Sequence, residues 1–123
     1  RETDPRFQTP KGQKKPTPSN IPQSSGEPSS ATSAPEYQQL QQLYSRHQFD
    51  ALINQATVFE GKNKTSPLLP YIRNLKGLAY IATKRPLPAI VQFQRALDSA
   101  DAPEVIKPYL HFNLASALAD ADQ

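Results

Sequence analysis

The apolar residues of this chain adopt helical spacing from residue 37 onward. They recur at steps of three and four residues, which places them on one side of an α-helix. They form two stripes: Tyr37, Leu40, Leu43 and Tyr44, then Phe49, Leu52, Ile53, Ala56 and Phe59. The polar segment Ser45–Gln48 separates the stripes, and Gly61 follows the second. This spacing predicts a helical hairpin over 37–60, which Gly61 is placed to end.

A second and clearer hairpin is predicted over 68–100, with a turn at Thr83–Arg85. Its apolar stripes are Ile72, Leu75, Ala79 and Ala82, then Ala89, Ile90, Phe93, Ala96, Leu97 and Ala100. Gly77 lies beside the first stripe and is expected to let the second helix approach closely, because glycine carries no side chain. The same pattern places Gln92 and Gln94 on exposed sides of the second helix.

A third stripe predicts the first helix of a further unit over 103–119. Its members repeat every four residues: Ile106, Leu110, Leu114 and Leu118. Pro108 interrupts the pattern, so we expect a kink or a short leading turn at 103–107. The preceding hairpin can cover only part of such a stripe. A following helix or a second copy of the chain is expected to cover the rest, which predicts self-association through this terminal helix.

Residues 1–35 differ in composition from everything that follows. They hold seven of the thirteen prolines but only four apolar residues, with Ser and Thr throughout. Such a segment cannot bury enough apolar surface to offset its ordering entropy. We therefore predict a disordered linker over 1–35 and a helical domain over 36–123. Lys11, Lys14 and Lys15 form a weak basic cluster, for which a basic tether is the alternative to a plain linker.

The middle hairpin contains most of a known repeat motif. Gly77-x-x-Tyr80, then Ala89-x-x-x-Phe93 and Ala96, resembles one tetratricopeptide repeat. Over about 37–123 three units align, with Leu40 and Ala115 in the place of Gly77. The resemblance implies an all-α fold, in which antiparallel hairpins stack as a short right-handed solenoid of about five helices. The offsets are 37 and 38 residues, whereas the family period is 34 residues, and the middle turn lacks its glycine.

What the resemblance implies about function is protein binding. First helices of successive repeats line a concave groove in this family, and an asparagine there can bind the main chain of an extended peptide. The candidate groove residues by this mapping are Tyr71, Asn74, Leu78, Ile81, Ala82, Tyr109, Phe112 and Ser116. A more distant resemblance is to the non-catalytic front region of bacterial sulfotransferases and glycosyltransferases. The sequence beyond Gln123 would distinguish these two interpretations.

Charge and composition restrict the expected partners and the expected location of the protein. The net charge is +3, of which +2 belongs to 1–35 and only +1 to 36–123, so the helical part is nearly neutral and nucleic acid is not an expected partner. There is no cysteine, which is compatible with any compartment; a soluble protein is expected, with the cytoplasm slightly favoured. No apolar run is long enough to span a membrane.

Residues suited to catalysis or to metal binding are sparse. His47 and His111 fall in different predicted elements, and no second ligand stands four residues from His111. No catalytic grouping or phosphate-binding loop is recognisable. The sequence therefore predicts no enzyme, no metal site and no cofactor.

Overall fold

The computed structural model describes residues 34–100 and 102–122, which form five α-helices. These are α1 (Pro35–Ser45), α2 (Phe49–Lys62), α3 (Leu69–Ala82), α4 (Pro86–Asp98) and α5 (Lys107–Ala121). The all-α class is thereby confirmed for the described residues, among which there is no strand. The predicted disordered linker over 1–35 and its basic cluster lie outside the described residues except for Ala34 and Pro35, and Pro35 is the first residue of α1.

Proline marks the start of four of the five helices. A proline occupies the first or second position of α1, α3, α4 and α5: Pro35, Pro70, Pro86 and Pro108. The missing N–H is harmless there, because the first amides of a helix have no partner within the helix. A turn at 104–106 leads into α5, so Pro108 stands near the start of the helix.

The two helical hairpins are closed by the same turn. His47 and Lys84 both have left-handed backbones, with φ values of 60° and 65°. The next amides, of Gln48 and Arg85, each donate to the carbonyl five residues back, at 2.9 and 2.8 Å. These bonds close the exposed helix ends in the manner of a Schellman motif, in which glycine is the usual left-handed residue. Lys84 thus adopts the conformation that the missing glycine would have taken.

The helices contact one another in a regular alternation. Each helix contacts the next along the chain, and α3 also contacts both α1 and α5. Among these five helices, α2 and α4 do not contact each other, and α5 contacts neither α1 nor α2. The odd-numbered helices α1, α3 and α5 therefore form one continuous row. Helix α2 packs against both α1 and α3, and helix α4 packs against both α3 and α5.

Helices α3 and α4 approach each other closely at Gly77. A Cβ atom placed on Gly77 would lie only 2.5 Å from Cε1 of Phe93. The Phe93 ring is fully buried, as are Ala89 and Ala96 on the same helix. The prediction that Gly77 permits close approach is thus confirmed, and the Phe93 ring occupies the space that a side chain at 77 would need.

The prediction that Gln92 faces solvent is wrong. Its side chain is only 6% exposed, whereas Gln94 is exposed as expected. The reason is that α4 contacts both α3 and α5, so it buries a wider arc than the single stripe of a helix with one neighbour. Gln92 extends that arc beyond Ala89 and Ala96.

The apolar stripe of α5 winds around its helix. Residues four apart are separated by 400° of rotation, so each step of a four-residue repeat drifts by about 40°. Ile106 and Leu110 are buried, Leu114 is half-buried and Leu118 is 50% exposed. The buried side of α5 continues instead through Asn113 and Ala117.

A carboxylate joins the first hairpin to the second. Glu60, near the end of α2, accepts from Arg73 Nε and from Lys76 Nζ on α3, both at 2.9 Å. The three side chains are largely shielded from water, with Lys76 the most enclosed. A second ion pair, between Asp50 and Arg85, links α2 to the turn after α3, but it is well exposed.

Candidate interaction surface

The row of α1, α3 and α5 carries a cluster of tyrosines. The rings of Tyr37 and Tyr71 meet edge to face, with centroids 5.8 Å apart and planes at 80°. Burial raises the pKa of Tyr37 well above its ordinary value, with smaller contributions from Tyr71 and Tyr109. The Tyr37 phenol stays protonated at any physiological pH.

Two of these tyrosines bury their hydroxyl groups without a hydrogen bond. The Oη atoms of Tyr37 and Tyr71 have no partner in the described part of the chain. A buried hydroxyl that lacks a partner costs free energy, typically about 1–3 kcal/mol. Both hydroxyl groups therefore lie inside the α1–α3 contact with their hydrogen-bonding capacity unused.

One helical turn further along α3, a pair of asparagines links α3 to α5. Asn113 Nδ2 donates to Oδ1 of Asn74 at 2.7 Å, and both side chains are fully buried. Further interactions engage both residues. The contacts from α1 through α3 to α5 therefore include polar side chains at both joints of the row: tyrosines at the first and asparagines at the second.

The candidate groove residues divide into three groups by their exposure. Tyr71, Asn74 and Leu78 are buried. Ile81, Tyr109 and Ser116 are half-buried, while Ala82 and Phe112 are exposed. All of them lie on α3 or α5. The residues that a partner could touch without any rearrangement are those of the second and third groups.

Sequence reasoning missed two members of this surface. Tyr37 stands 37 residues before Asn74, so the offset between the hairpins could have identified it, but no groove position was assigned to the first unit. Asn113 was missed because the 38-residue offset maps Asn74 onto Phe112 rather than onto its neighbour. The asparagine pair depends on how far α5 is rotated against α3, which no repeat pattern encodes.

Other surfaces offer little chemistry. A shallow and mainly apolar hollow on α2 is lined by Asn54, Gln55, Val58, Phe59, Lys62 and Asn63. Within residues 34–100 and 102–122, no three side chains of His, Asp or Glu converge as metal ligands would. None of the five helices combines the length and the hydrophobicity needed to cross a bilayer.

Comparison with known proteins gives no match to this chain among family models, curated proteins or solved structures.

Proposed function

We propose that this chain is a protein–protein interaction module built as a short tetratricopeptide-like solenoid. The observation that carries the proposal is the alternation of helix contacts, with α1, α3 and α5 in one row and α2 and α4 outside it. First helices that contact one another while second helices stay apart are the arrangement expected of stacked helical hairpins that curve around a groove. The proposal gives the chain no catalytic role.

Two local features support the same architecture. The turns at His47 and Lys84 share their backbone conformation and hydrogen bonds at an offset of 37 residues, which is the behaviour of a repeated unit. The motif has a small residue at position 77, and this residue permits the close approach of Phe93. The first feature is shared by both hairpins, and the second belongs to the α3–α4 hairpin.

The row of odd-numbered helices is the proposed binding face, and its ligand is an extended polypeptide. Such a ligand needs hydrogen-bonding groups for its main chain and apolar area for its side chains. The half-buried Tyr109 and Ser116 carry the hydroxyl groups that serve the former on α5. The half-buried Ile81 and Tyr109 provide the latter. Aromatic residues of this kind supply large contact area at low conformational cost.

The test begins with peptides selected by display on the immobilised 123-residue chain. The best binder is then titrated into isotope-labelled protein while amide chemical shifts are recorded. We expect the perturbed amides to concentrate on α1, α3 and α5. Tyr109→Ala and Ile81→Ala should each weaken binding roughly fivefold or more, as interface anchors do.

A matched control for these variants is Val58→Ala, which truncates an exposed apolar side chain on α2. It should leave the affinity unchanged. A selected peptide that perturbs only α2 and α4, or that loses affinity with Val58→Ala alone, would contradict the proposed binding face.

A further inference from the structure

Helix α5 exposes an apolar face on the side opposite its buried residues, which are Ile106, Leu110, Asn113 and Ala117. At 100° per residue, the opposite side is centred on Ala115. The exposed residues there are His111, Phe112, Ala115, Leu118, Ala119 and Asp122, and we name them the α5 outer face. Phe112 and Leu118 each stand three residues from Ala115, so they flank it at about 60° on opposite sides. The face therefore has a small residue between two large apolar ones.

The equivalent position is covered in both hairpins by the helix that follows. The offset of 38 residues aligns Ala115 with Gly77 of α3, against which Phe93 of α4 packs. The offset of 37 aligns Gly77 with Leu40 of α1, which is buried in one core with Leu52 of α2. No described residue buries Ala115 on α5. The two hairpins thus indicate the kind of element that fits this face, which is one antiparallel helix.

We propose that the α5 outer face is a docking site for one amphipathic helix of a partner protein, antiparallel to α5 and crossing it at Ala115. The partner helix packs one apolar side chain on Ala115, and its neighbouring apolar residues contact Phe112 and Leu118. A small residue at the crossing lets two helices approach closely. Recognition of an amphipathic helix by an apolar groove is a common mode of protein binding.

The helices of this chain do not supply the occupant. Helices α2 and α4 play the required part in the two hairpins, but each already packs against two helices of the row. A second copy of α5 does not fit either. In a two-fold antiparallel pair, Phe112 of one copy and Leu118 of the other lie on opposite flanks of the crossing and do not meet. The occupant is therefore a different helix.

The carboxyl end of α5 adds a charge preference. Asp120 and Asp122 are exposed there, and the last turn of α5 holds no basic residue. Their charge adds to the partial negative charge of the helix end. In the antiparallel arrangement the amino end of the partner helix lies beside them, and its partial positive charge offsets theirs. The partner helix is therefore expected to begin after Lys or Arg, as α4 begins after Lys84 and Arg85.

The residue that packs on Ala115 is expected to be smaller than phenylalanine. A Cβ atom at Gly77 would lie 2.5 Å from Cε1 and 2.6 Å from Cζ of Phe93. Ala115 carries that Cβ atom. A phenylalanine placed on α5 as Phe93 is placed on α3 would therefore collide with it. Leucine is apolar and shorter, and it is the residue expected there.

The first test attaches a stand-in for the partner helix to the full chain. A copy of Pro86–Ala100 that carries Phe93→Leu is added directly after Gln123, which reproduces the offset of 38 residues. Tethering gives the added helix a high effective concentration. This chain should melt about 4 °C or more above the same extension with Phe93→Asp in the copy. Equal melting temperatures would overturn the proposal.

Substitutions on the protein show where the added helix docks. Ala115→Arg should abolish the gain in melting temperature, whereas it should have little effect on the chain without the extension, because Ala115 is exposed. Val58→Arg changes an exposed apolar residue on α2 and should leave the gain intact. A gain that survives Ala115→Arg would overturn the proposal. A larger gain when the copy keeps its phenylalanine would overturn the expected leucine.

The same helix as a free peptide tests binding between separate molecules. Lys84–Ala100 carrying Phe93→Leu, titrated into the isotope-labelled 123-residue chain, should perturb the amides of the α5 outer face. Ala115→Arg should weaken this binding by about tenfold or more. Absence of these perturbations at millimolar peptide would overturn the docking of a partner helix.

Sedimentation of the chain alone tests a second copy as the occupant. We expect no association that depends on the α5 outer face. A dimer that Ala115→Arg dissociates and Val58→Arg does not would assign the face to a second copy and overturn the proposal.

This inference is separate from the proposed peptide-binding face. Ala115 is not one of the candidate groove residues, so Ala115→Arg should leave the affinity of the display-selected peptide unchanged. The melting temperatures do not involve that peptide. Either proposal can therefore fail without the other.

Discussion

The two helical hairpins have the same turn but fill their interiors in opposite ways. An offset of 37 residues aligns Leu40 with Gly77 and Ala56 with Phe93. In the α3–α4 hairpin the small residue is on the first helix and the large one on the second, whereas the α1–α2 hairpin reverses this order. Leu40, Ala56 and Phe93 are all buried. The two hairpins thus share a turn and an aligned pair of one large and one small residue, but the large residue stands on the first helix in one and on the second helix in the other.

This reversal explains why only one hairpin resembles a repeat in sequence. The sequence motif has its small residue on the first helix and its aromatic residue on the second. Gly77 and Phe93 match this pattern, whereas Leu40 and Ala56 do not. The turn, which depends on backbone hydrogen bonds, is unaffected by the reversal. The hairpins can therefore be equivalent in structure while only the second is recognisable.

The largest expected effect comes from emptying the space in the second hairpin. Phe93→Ala should lower the free energy of unfolding by about 3–5 kcal/mol, the usual range for a buried aromatic ring. Gln94→Ala, on the exposed side of the same helix, should change it by less than about 0.5 kcal/mol. Chemical denaturation of both variants measures this difference. Similar shifts in the two would mean that the orientation of α4 is wrong.

A double variant tests the reversal directly. Gly77→Leu combined with Phe93→Ala gives the second hairpin the large–small order of the first. We expect the double variant to be more stable than Phe93→Ala alone, because the leucine fills the cavity that the ring leaves. If adding the leucine destabilises the protein further, the two interiors are not equivalent and the comparison fails.

The joint between the hairpins should rank next. Glu60→Ala removes the shared partner of Arg73 and Lys76 and should cost about 1.5–3 kcal/mol, as for enclosed hydrogen bonds to charged groups. Asp50→Ala breaks the exposed pair with Arg85 and should cost less than about 1 kcal/mol. Thermal melting at low and high salt compares them. Equal losses would show that Glu60 is as well hydrated as Asp50.

Alanine substitutions at the two helical glycines should have smaller effects on the stability, and the two effects should have opposite signs. Gly77→Ala should destabilise the protein by about 1–3 kcal/mol, because the added Cβ collides with the buried Phe93 ring. Gly61→Ala meets nothing within 4 Å and should stabilise α2 by up to about 1 kcal/mol, because alanine favours helix. Denaturant midpoints show whether each variant is more or less stable than the original protein. Stabilisation by Gly77→Ala would contradict the close contact.

The smallest effect concerns the shared turn. Lys84→Gly should raise the stability by about 0.5–1 kcal/mol, because it relieves the left-handed backbone of a non-glycine residue. His47→Gly should gain less, because the His47 ring stacks on Phe49 with centroids 5.5 Å apart and that contact is lost. Melting temperatures of the two variants distinguish them. A larger gain at 47 would mean that the stacking contributes nothing.

The sequence by itself determined the helices and their order. Apolar spacing, the prolines near the helix starts and the polar turns are local signals, and local signals decide secondary structure because each depends on a few neighbouring residues. The sequence also predicted a close approach of the second helix at Gly77, but it did not predict that the Phe93 ring meets that position. It placed Gln92 wrongly, because a stripe assumes one neighbouring helix and α4 has two.

Only the tertiary structure decided which side chains meet across helices. The contact of Tyr37 with Tyr71, the pairing of Asn74 with Asn113 and the exposure of Leu118 all depend on how far one helix is rotated against the next. A four-residue repeat drifts around its helix, so Leu118 shares a stripe with Ile106 in the sequence but not a face in the fold. The packing of whole helices sets that rotation, because it is the sum of many weak contacts that no single motif contains.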